Sequence, residues 1–221
     1  MRPSFPVARV LATLRARAPE WGKAYVADLA RGRPRGLPFK ILVSCVLSLR
    51  TKDETTEPAS KRLFRRARSP RGLLRLDEEE LAELIYPVGF YRTKARSLRQ
   101  LARALLDEHE GEVPRTLDEL LALPGVGLKT ANLVLGQAFG VPAICVDVHV
   151  HRIPNRWGLI RTRTPDESEV ALRERVPRRD WVALNPTLVA FGRAICLPVS
   201  PRCGECPVSA HCARVGVTHS R

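Results

Sequence analysis

The chain has 221 residues, 44% of them hydrophobic and 5% aromatic, which suits one or two globular domains with a sizeable core. Its best apolar run, ILVSCVLSL at 41–49, falls short of the roughly 18–20 residues that cross a bilayer, so no membrane span is expected, and arginines interrupt every stretch that could act as a secretory signal. Lysine and arginine total 37 against 23 aspartates and glutamates, and the resulting charge of +14 makes nucleic acid the expected partner, a generally basic proteome being the plainer source of the same surplus.

Helix signals dominate in chain order. Val7, Val10, Leu11 and Leu14 fall on one helical face, which favours a mature helix over a transit peptide although no acidic residue precedes Glu20. RGRPRGLP at 31–38 reads as a loop. FKILVSCVLSLRT reads as a buried helix, and DETTEPASKRLFRRA as another in which Pro58 should fall in the first turn or mark a break. LDEEELAELIYP starts on an Asp77 cap with an acidic first turn and stops near Pro87. YRTKARSLRQLARALLDEHEG is amphipathic and ends at Gly111. TLDELLAL opens on Thr116 with Glu119 three residues on, the pattern of a capping box. After the helix LKTANLVLGQAFG, the segment VPAICVDVHVHRIPNRWGL stays open: its β-branched residues suit a strand, while Asp147 could cap a short helix toward Trp157. PDESEVALRERVP and WVALNPTLVAFGRAIC complete an all-α set without repeats.

The most informative stretch is LPGVGLKTA, 123–131. One helix ends at Pro124 and another starts near Leu128, so Gly125 and Gly127 are expected to supply backbone angles that other residues resist. Backbone N–H groups of such a turn and of the new helix can converge on a phosphate; an ordinary tight helix–helix turn is the plainer reading. Lys129 stands beside this hairpin, and the other lysines, Lys23, Lys40, Lys52, Lys61 and Lys94, do not.

Six cysteines fall unevenly. Cys45 and Cys145 sit in apolar segments and read as core thiols. Cys196, Cys203, Cys206 and Cys212 follow the spacing C-x6-C-x2-C-x5-C. In a chain without secretory features this crowding suggests a metal centre rather than disulfides, and spacing alone suits tetrahedral zinc and a [4Fe–4S] cluster about equally.

LPGVGLKTANLVLGQAFG followed by VDVHVHRI resembles the signature of the endonuclease III family of helix–hairpin–helix DNA glycosylases, which excise oxidised pyrimidines in base-excision repair. The resemblance extends over nearly the whole chain. It implies an all-α fold of two helical domains, 31–142 with the hairpin and 1–30 plus 143–221 with the cluster loop, the active site lying between them. It implies Lys129 as nucleophile, Asp147 as essential carboxylate, and DNA contacts from Gly125, Val126, Gly127, Arg50, Phe90 and His149. It selects the [4Fe–4S] cluster, held by Cys196, Cys203, Cys206 and Cys212, as a structural group that fixes a loop bearing Arg193 and Arg202. The implied partner is double-stranded DNA with a damaged base or an abasic site, bound by a monomer in the cytoplasm, at the bacterial nucleoid.

The chemistry suits those residue types. An amine that attacks C1′ gives a Schiff base, which permits β-elimination and strand cleavage. The amine must be neutral, and a helix N-terminus together with partial burial of Lys129 would favour that. An ionised Asp147 can stabilise the developing oxocarbenium charge and assist proton movement.

The chain departs from the family pattern at three positions. Arg50 stands in LSLRTKD where relatives commonly carry glutamine; Phe90 stands in VGFYRTKA where a leucine usually wedges into the duplex; Val148 follows Asp147 where threonine is usual. Phe90 could insert and stack, or be a core aromatic. Arg50 could pair with the orphaned base or a phosphate, or change the substrate range. The basic KRLFRRARSPR at 61–71 could hold phosphates or form a solvated face. Lys129 and the chain length argue against an adenine glycosylase. An AP-site lyase with weak base excision, and a non-catalytic helix–hairpin–helix protein with structural zinc, are the alternatives.

Overall fold

The structure, a computed structural model, describes residues 5–22 and 24–221; residues 1–4 of the N-terminal segment and Lys23 lie outside the described residues. The helices are α1 (Val7–Arg17), α2 (Tyr25–Arg31), α3 (Leu37–Ser48), α4 (Asp53–Arg66), α5 (Pro70–Leu74), α6 (Glu78–Ile85), α7 (Tyr91–His109), α8 (Leu117–Ala122), α9 (Leu128–Phe139), α10 (Val148–Trp157), α11 (Pro165–Arg175) and α12 (Trp181–Ala194). Among the described residues there is no strand, and no helix is long and apolar enough to cross a membrane.

The chain forms two compact units. One is Tyr25–Val141, and the other joins Pro142–Arg221 to the described residues up to Ala24. Residues 25–30 belong to the former, because α2 packs on α3 and α9.

In the Tyr25–Val141 unit α3 is the central element, packed against α2, α4, α7 and α9. Its Ile41, Leu42 and Leu47 are fully buried with Leu63, Leu81, Ile85, Leu98 and Leu101. Pro58 neither starts nor breaks a helix: it lies in the second turn of α4. Its missing N–H forgoes only the bond to the Glu54 carbonyl, and both residues lie on the exposed face. The α6 capping box is complete, with Asp77 Oδ1 accepting from Glu80 N at 2.8 Å and Glu80 Oε2 accepting from Asp77 N at 3.0 Å. At α8 only half of it forms. Thr116 Oγ1 accepts from Glu119 N, but its hydroxyl then donates to the Glu119 carboxylate, which does not reach back to the backbone. The end of α7 is set one residue earlier than expected. Glu110 takes the left-handed angle, φ 55°, and Gly111 follows with its N–H on the Leu105 carbonyl at 2.7 Å.

In the other unit α10, α12 and α1 enclose Leu11, Leu14, Ile153, Trp157, Leu188 and Phe191. Phe5 stacks on Trp157 and Trp21 tilts against Phe191, both with centroids 5.3 Å apart. Arg15 of α1 pairs with the buried Asp180 just before α12. The ambiguous segment resolves as loop into helix. Among the described residues no partner strand is present to reward its β-branched residues, whereas an Asp147 cap and left-handed Gly158, φ 77°, frame ten helical residues.

Asp77→Ala removes the Asp77 carboxylate that accepts from Glu80 N, while the backbone N–H of residue 77 can still donate to Glu80, and it is expected to cost about 1 kcal/mol, read as a lower urea midpoint with an unchanged m-value.

Candidate functional site

The hairpin between α8 and α9 is built from a tight turn. Val126 N donates to the Leu123 carbonyl at 3.2 Å, Pro124 holds the second position, and Gly125 has φ 76° in the third, as a type II turn requires. Gly127 differs from expectation: as the N-cap of α9 it has φ −100°, an extended angle open to any residue. A Cβ at either glycine would meet nothing within 4 Å. Neither angle nor packing demands glycine at 127; glycine is a favoured N-cap, and the open space beside it leaves room for a ligand to approach. No side chain caps α9, so its first amides stay available to an anion. Val126 contributes little directly, since its amide closes the turn and its side chain is buried.

Lys129 is the second residue of α9 and is exposed, so the partial burial expected for it is absent. The buried lysine is Lys94, 7% exposed on α7. Burial pulls its pKa down to about 8. Its Nζ donates to the carbonyls of Leu47 at 2.8 Å and Leu49 at 2.6 Å and to Thr51 Oγ1 at 3.1 Å, which uses all three donors and leaves none to meet a sugar. Cys45 is an inert core thiol, pushed up to about 12 by burial, and Cys145 is likewise buried.

Arg50 and Phe90 come together. Both have left-handed backbones, φ 52° and 57°, and the Arg50 guanidinium lies 5.7 Å from the Phe90 ring centroid. Phe90 is 62% exposed, so it is not a core aromatic. Each such residue stores roughly 1–3 kcal/mol of strain, which the surrounding core, at roughly 2 kcal/mol for each buried leucine, easily outweighs. Within the basic 61–71 run several side chains serve the fold. Lys61 pairs with Glu57, Arg62 donates to the Leu84 and Tyr86 carbonyls, and Arg68 donates to the Phe64 carbonyl.

Asp147 belongs to the other unit, at the start of α10. Its Oδ1 accepts from His149 N and Val150 N, both at 2.9 Å. Val148, beside it, is 70% exposed. The His149 ring packs on α12: a Cβ at Gly192 would come within 2.3 Å of its Nδ1. Arg152 Nη2 lies 3.2 Å from the same nitrogen and donates to the Cys196 carbonyl at 2.8 Å. Asn185 Nδ2 donates to the Cys145 carbonyl at 3.2 Å, steadying the chain that leads to Asp147.

The four tail cysteines are unpaired thiols that line one pocket with Arg156, Trp157 and Phe191. Among the described residues no three His, Cys, Asp or Glu side chains converge on one ion position. Four thiols lining one cavity suit a metal centre, tetrahedral zinc or an iron–sulfur cluster alike. Burial pushes Cys206 up to about 11 and raises Cys212. Arg156, 8% exposed, donates to Cys196 Sγ at 3.4 Å and to the Leu197 and Pro198 carbonyls, and Arg214 N donates to Cys212 Sγ at 3.3 Å. Such N–H groups satisfy sulfur in a metal-bound thiolate.

Lys94, Gly192, Arg152, Arg156 and Asn185 were not anticipated from sequence. Each acts through a partner far along the chain, and only an isolated lysine in an apolar helix face and a glycine inside a helix could have hinted at them.

A family model described as HhH-GPD superfamily base excision DNA repair protein matches residues 43–178, and one described as the iron-sulfur binding domain of endonuclease III matches 196–212. The chain is 47% identical over 193 residues to endonuclease III of Thermotoga maritima, covering 87% of this chain and 91% of that protein. It is 42% identical over 176 residues to endonuclease III of Bacillus subtilis, covering 79% and 80%. Among solved structures it is similar to a trapped endonuclease III–DNA covalent intermediate, an estranged-adenine complex, with TM-score 0.83, 36% identity and 97% of both chains covered.

The two hairpin glycines should separate on substitution. Gly125→Ala is expected to cost about 1–2 kcal/mol through its left-handed angle, and Gly127→Ala about 0.5–1 kcal/mol through the lost N-cap preference, both read from denaturant unfolding.

Proposed function

We propose, on the premise that this chain belongs to the endonuclease III family within the HhH-GPD superfamily of base excision DNA repair proteins, that it releases oxidised pyrimidines of the thymine glycol type from duplex DNA through a Schiff base on Lys129. DNA glycosylase and AP-lyase activity come with that membership; the lesion and the covalent route are the inferred part. The observation that carries the route is an exposed lysine in the first turn of a helix with open N-terminal amides, beside two glycines that face empty space.

The hairpin amides hold a backbone phosphate, and Gly127 lets it approach closely. The unprotonated Lys129 amine attacks C1′, and the bond from C1′ to the base breaks, the base leaving with a proton. The sugar ring opens to an imine between Nζ and C1′. Loss of a C2′ proton then expels the 3′ phosphate, and water releases the lysine. Asp147 stabilises positive charge at the sugar and assists proton transfer, since its two amide bonds leave acceptor capacity on the carboxylate. Arg50 and Phe90 act on the duplex side, Phe90 as the inserted wedge and Arg50 toward the orphaned base.

The cofactor is a [4Fe–4S] cluster, and we assign Cys196, Cys203, Cys206 and Cys212 as its ligands. When bound, it supplies a covalent staple across the tail. The protein acts as a monomer on one lesion at a time.

Borohydride trapping tests this on two duplexes, one with thymine glycol and one with an abasic site. The native chain is expected to form adducts with both, and Lys129→Ala with neither while still binding DNA. Asp147→Asn is expected to lose about 10²–10⁴-fold in rate. Adducts on the abasic duplex alone would leave a lyase with a different base pocket. Full cleavage at thymine glycol by Lys129→Ala would contradict the proposal.

A further inference from the structure

We propose that Lys94 is a positioning residue for lesion extrusion: its ammonium joins residues 47–51 to residues 89–94, so that Arg50 and Phe90 meet the duplex as one preformed wedge. This rests on the reading that the chain draws a damaged nucleotide out of the stack.

Lys94 is buried, yet the partners of its Nζ are two carbonyls and a hydroxyl, with no carboxylate among them. An apolar residue would fill the same space without burying a charge. What the ammonium adds is three directed bonds to one short segment, placed on both sides of Arg50. Thr51 Oγ1 is shared, because it also accepts from Gly89 N at 3.1 Å. One cation therefore organises both segments. The backbone N–H of Lys94 makes only the first-turn bond of α7, to the Phe90 carbonyl at 2.9 Å, so the link to residues 47–51 is made by the side chain and by Gly89 N.

The two segments touch. A Cβ at Gly89 would come within 3.1 Å of the Arg50 carbonyl and 3.3 Å of Thr51 Oγ1. On the outer side of this joint stand the two left-handed residues, with the Arg50 guanidinium over the exposed Phe90 ring. Such angles persist where the surroundings over-determine them, and the Lys94 bonds are the nearest such surroundings. A wedge that is already ordered loses no conformational freedom on insertion. The plainer role for Lys94 is a cation at the C-terminal end of α3. That role would stabilise the fold without regard to the state of the DNA.

Single-turnover base release separates the two roles. Lys94→Met keeps the stem and removes the donors. It is tested on one lesion presented in a fully paired duplex and in an unpaired bubble, where extrusion is nearly free. The duplex rate is expected to fall at least about tenfold, while the bubble rate stays within about twofold of native. Thr51→Val should shift the ratio in the same direction. Phe90→Ala should add little in the Lys94→Met background, because the wedge is already lost. Equal losses on both substrates, or a native duplex rate in a folded Lys94→Met chain, would overturn the proposal. If circular dichroism shows that Lys94→Met does not fold, the Thr51→Val ratio decides by the same criterion. A native chain that releases no base from either substrate would overturn the parent reading and this proposal together; an active native chain whose variants lose both rates equally would overturn this proposal alone.

Discussion

Helix α10 meets α12 so closely that a single methyl group at Gly192 would collide with His149 and press on Ile153. Much of the unit formed by the two chain ends follows from that contact. It fixes the rotation of α10, and so the direction of the residues at its start. Asp147 then closes the N-terminus with one oxygen on two amides. Arg152 and Arg156, one helical turn apart on the same helix, reach the backbone around Cys196. Beyond the last turn, the tail returns through bonds from Ala213 N to the Trp157 carbonyl and from Val215 N to the Arg156 carbonyl. Asp147 and Arg156 are nine residues apart, about 14 Å along the axis. The cysteine pocket therefore supports the carboxylate through the helix and not by contact.

The Tyr25–Val141 unit follows a different economy. Its core is conventional leucine and isoleucine packing around α3, and it carries strained backbone where function is proposed. Gly125 is there for its angle, Gly127 as an N-cap beside open space, and Gly89 for the approach of two segments. Glycine has no single meaning in this chain. The same holds for lysine: Lys129 is exposed at a helix start, whereas Lys94 is buried and fully engaged.

Most helices were legible in the sequence because their signals are local. The period of Val10, Leu11 and Leu14, the Asp77 cap and the glycine-rich hairpin depend on neighbours a few residues away. Where the structure departs from local expectation, the cause is shared. Intrinsic propensity sets Pro58 against a helix interior, but an exposed helix face tolerates the lost bond. The segment around Asp147 is open between strand and capped helix in the sequence because β-branching and capping are both local traits, and the helix prevails since a strand needs a partner elsewhere. Thr116 had the right spacing for a capping box, yet its hydroxyl found the carboxylate first. Lys129 lies in the first turn of α9, as its neighbours indicate, whereas its exposure is decided by packing. The roles of Lys94 and Gly192 rest on contacts more than forty residues away, to Leu47 and to His149, and no short window contains them.

The most direct test of the central claim is to trap the native chain on thymine glycol duplex with borohydride, digest the adduct, and locate the modified residue by mass spectrometry. A single modification at Lys129 is expected. An adduct on Lys94, on another lysine or on the N-terminal amine would contradict it.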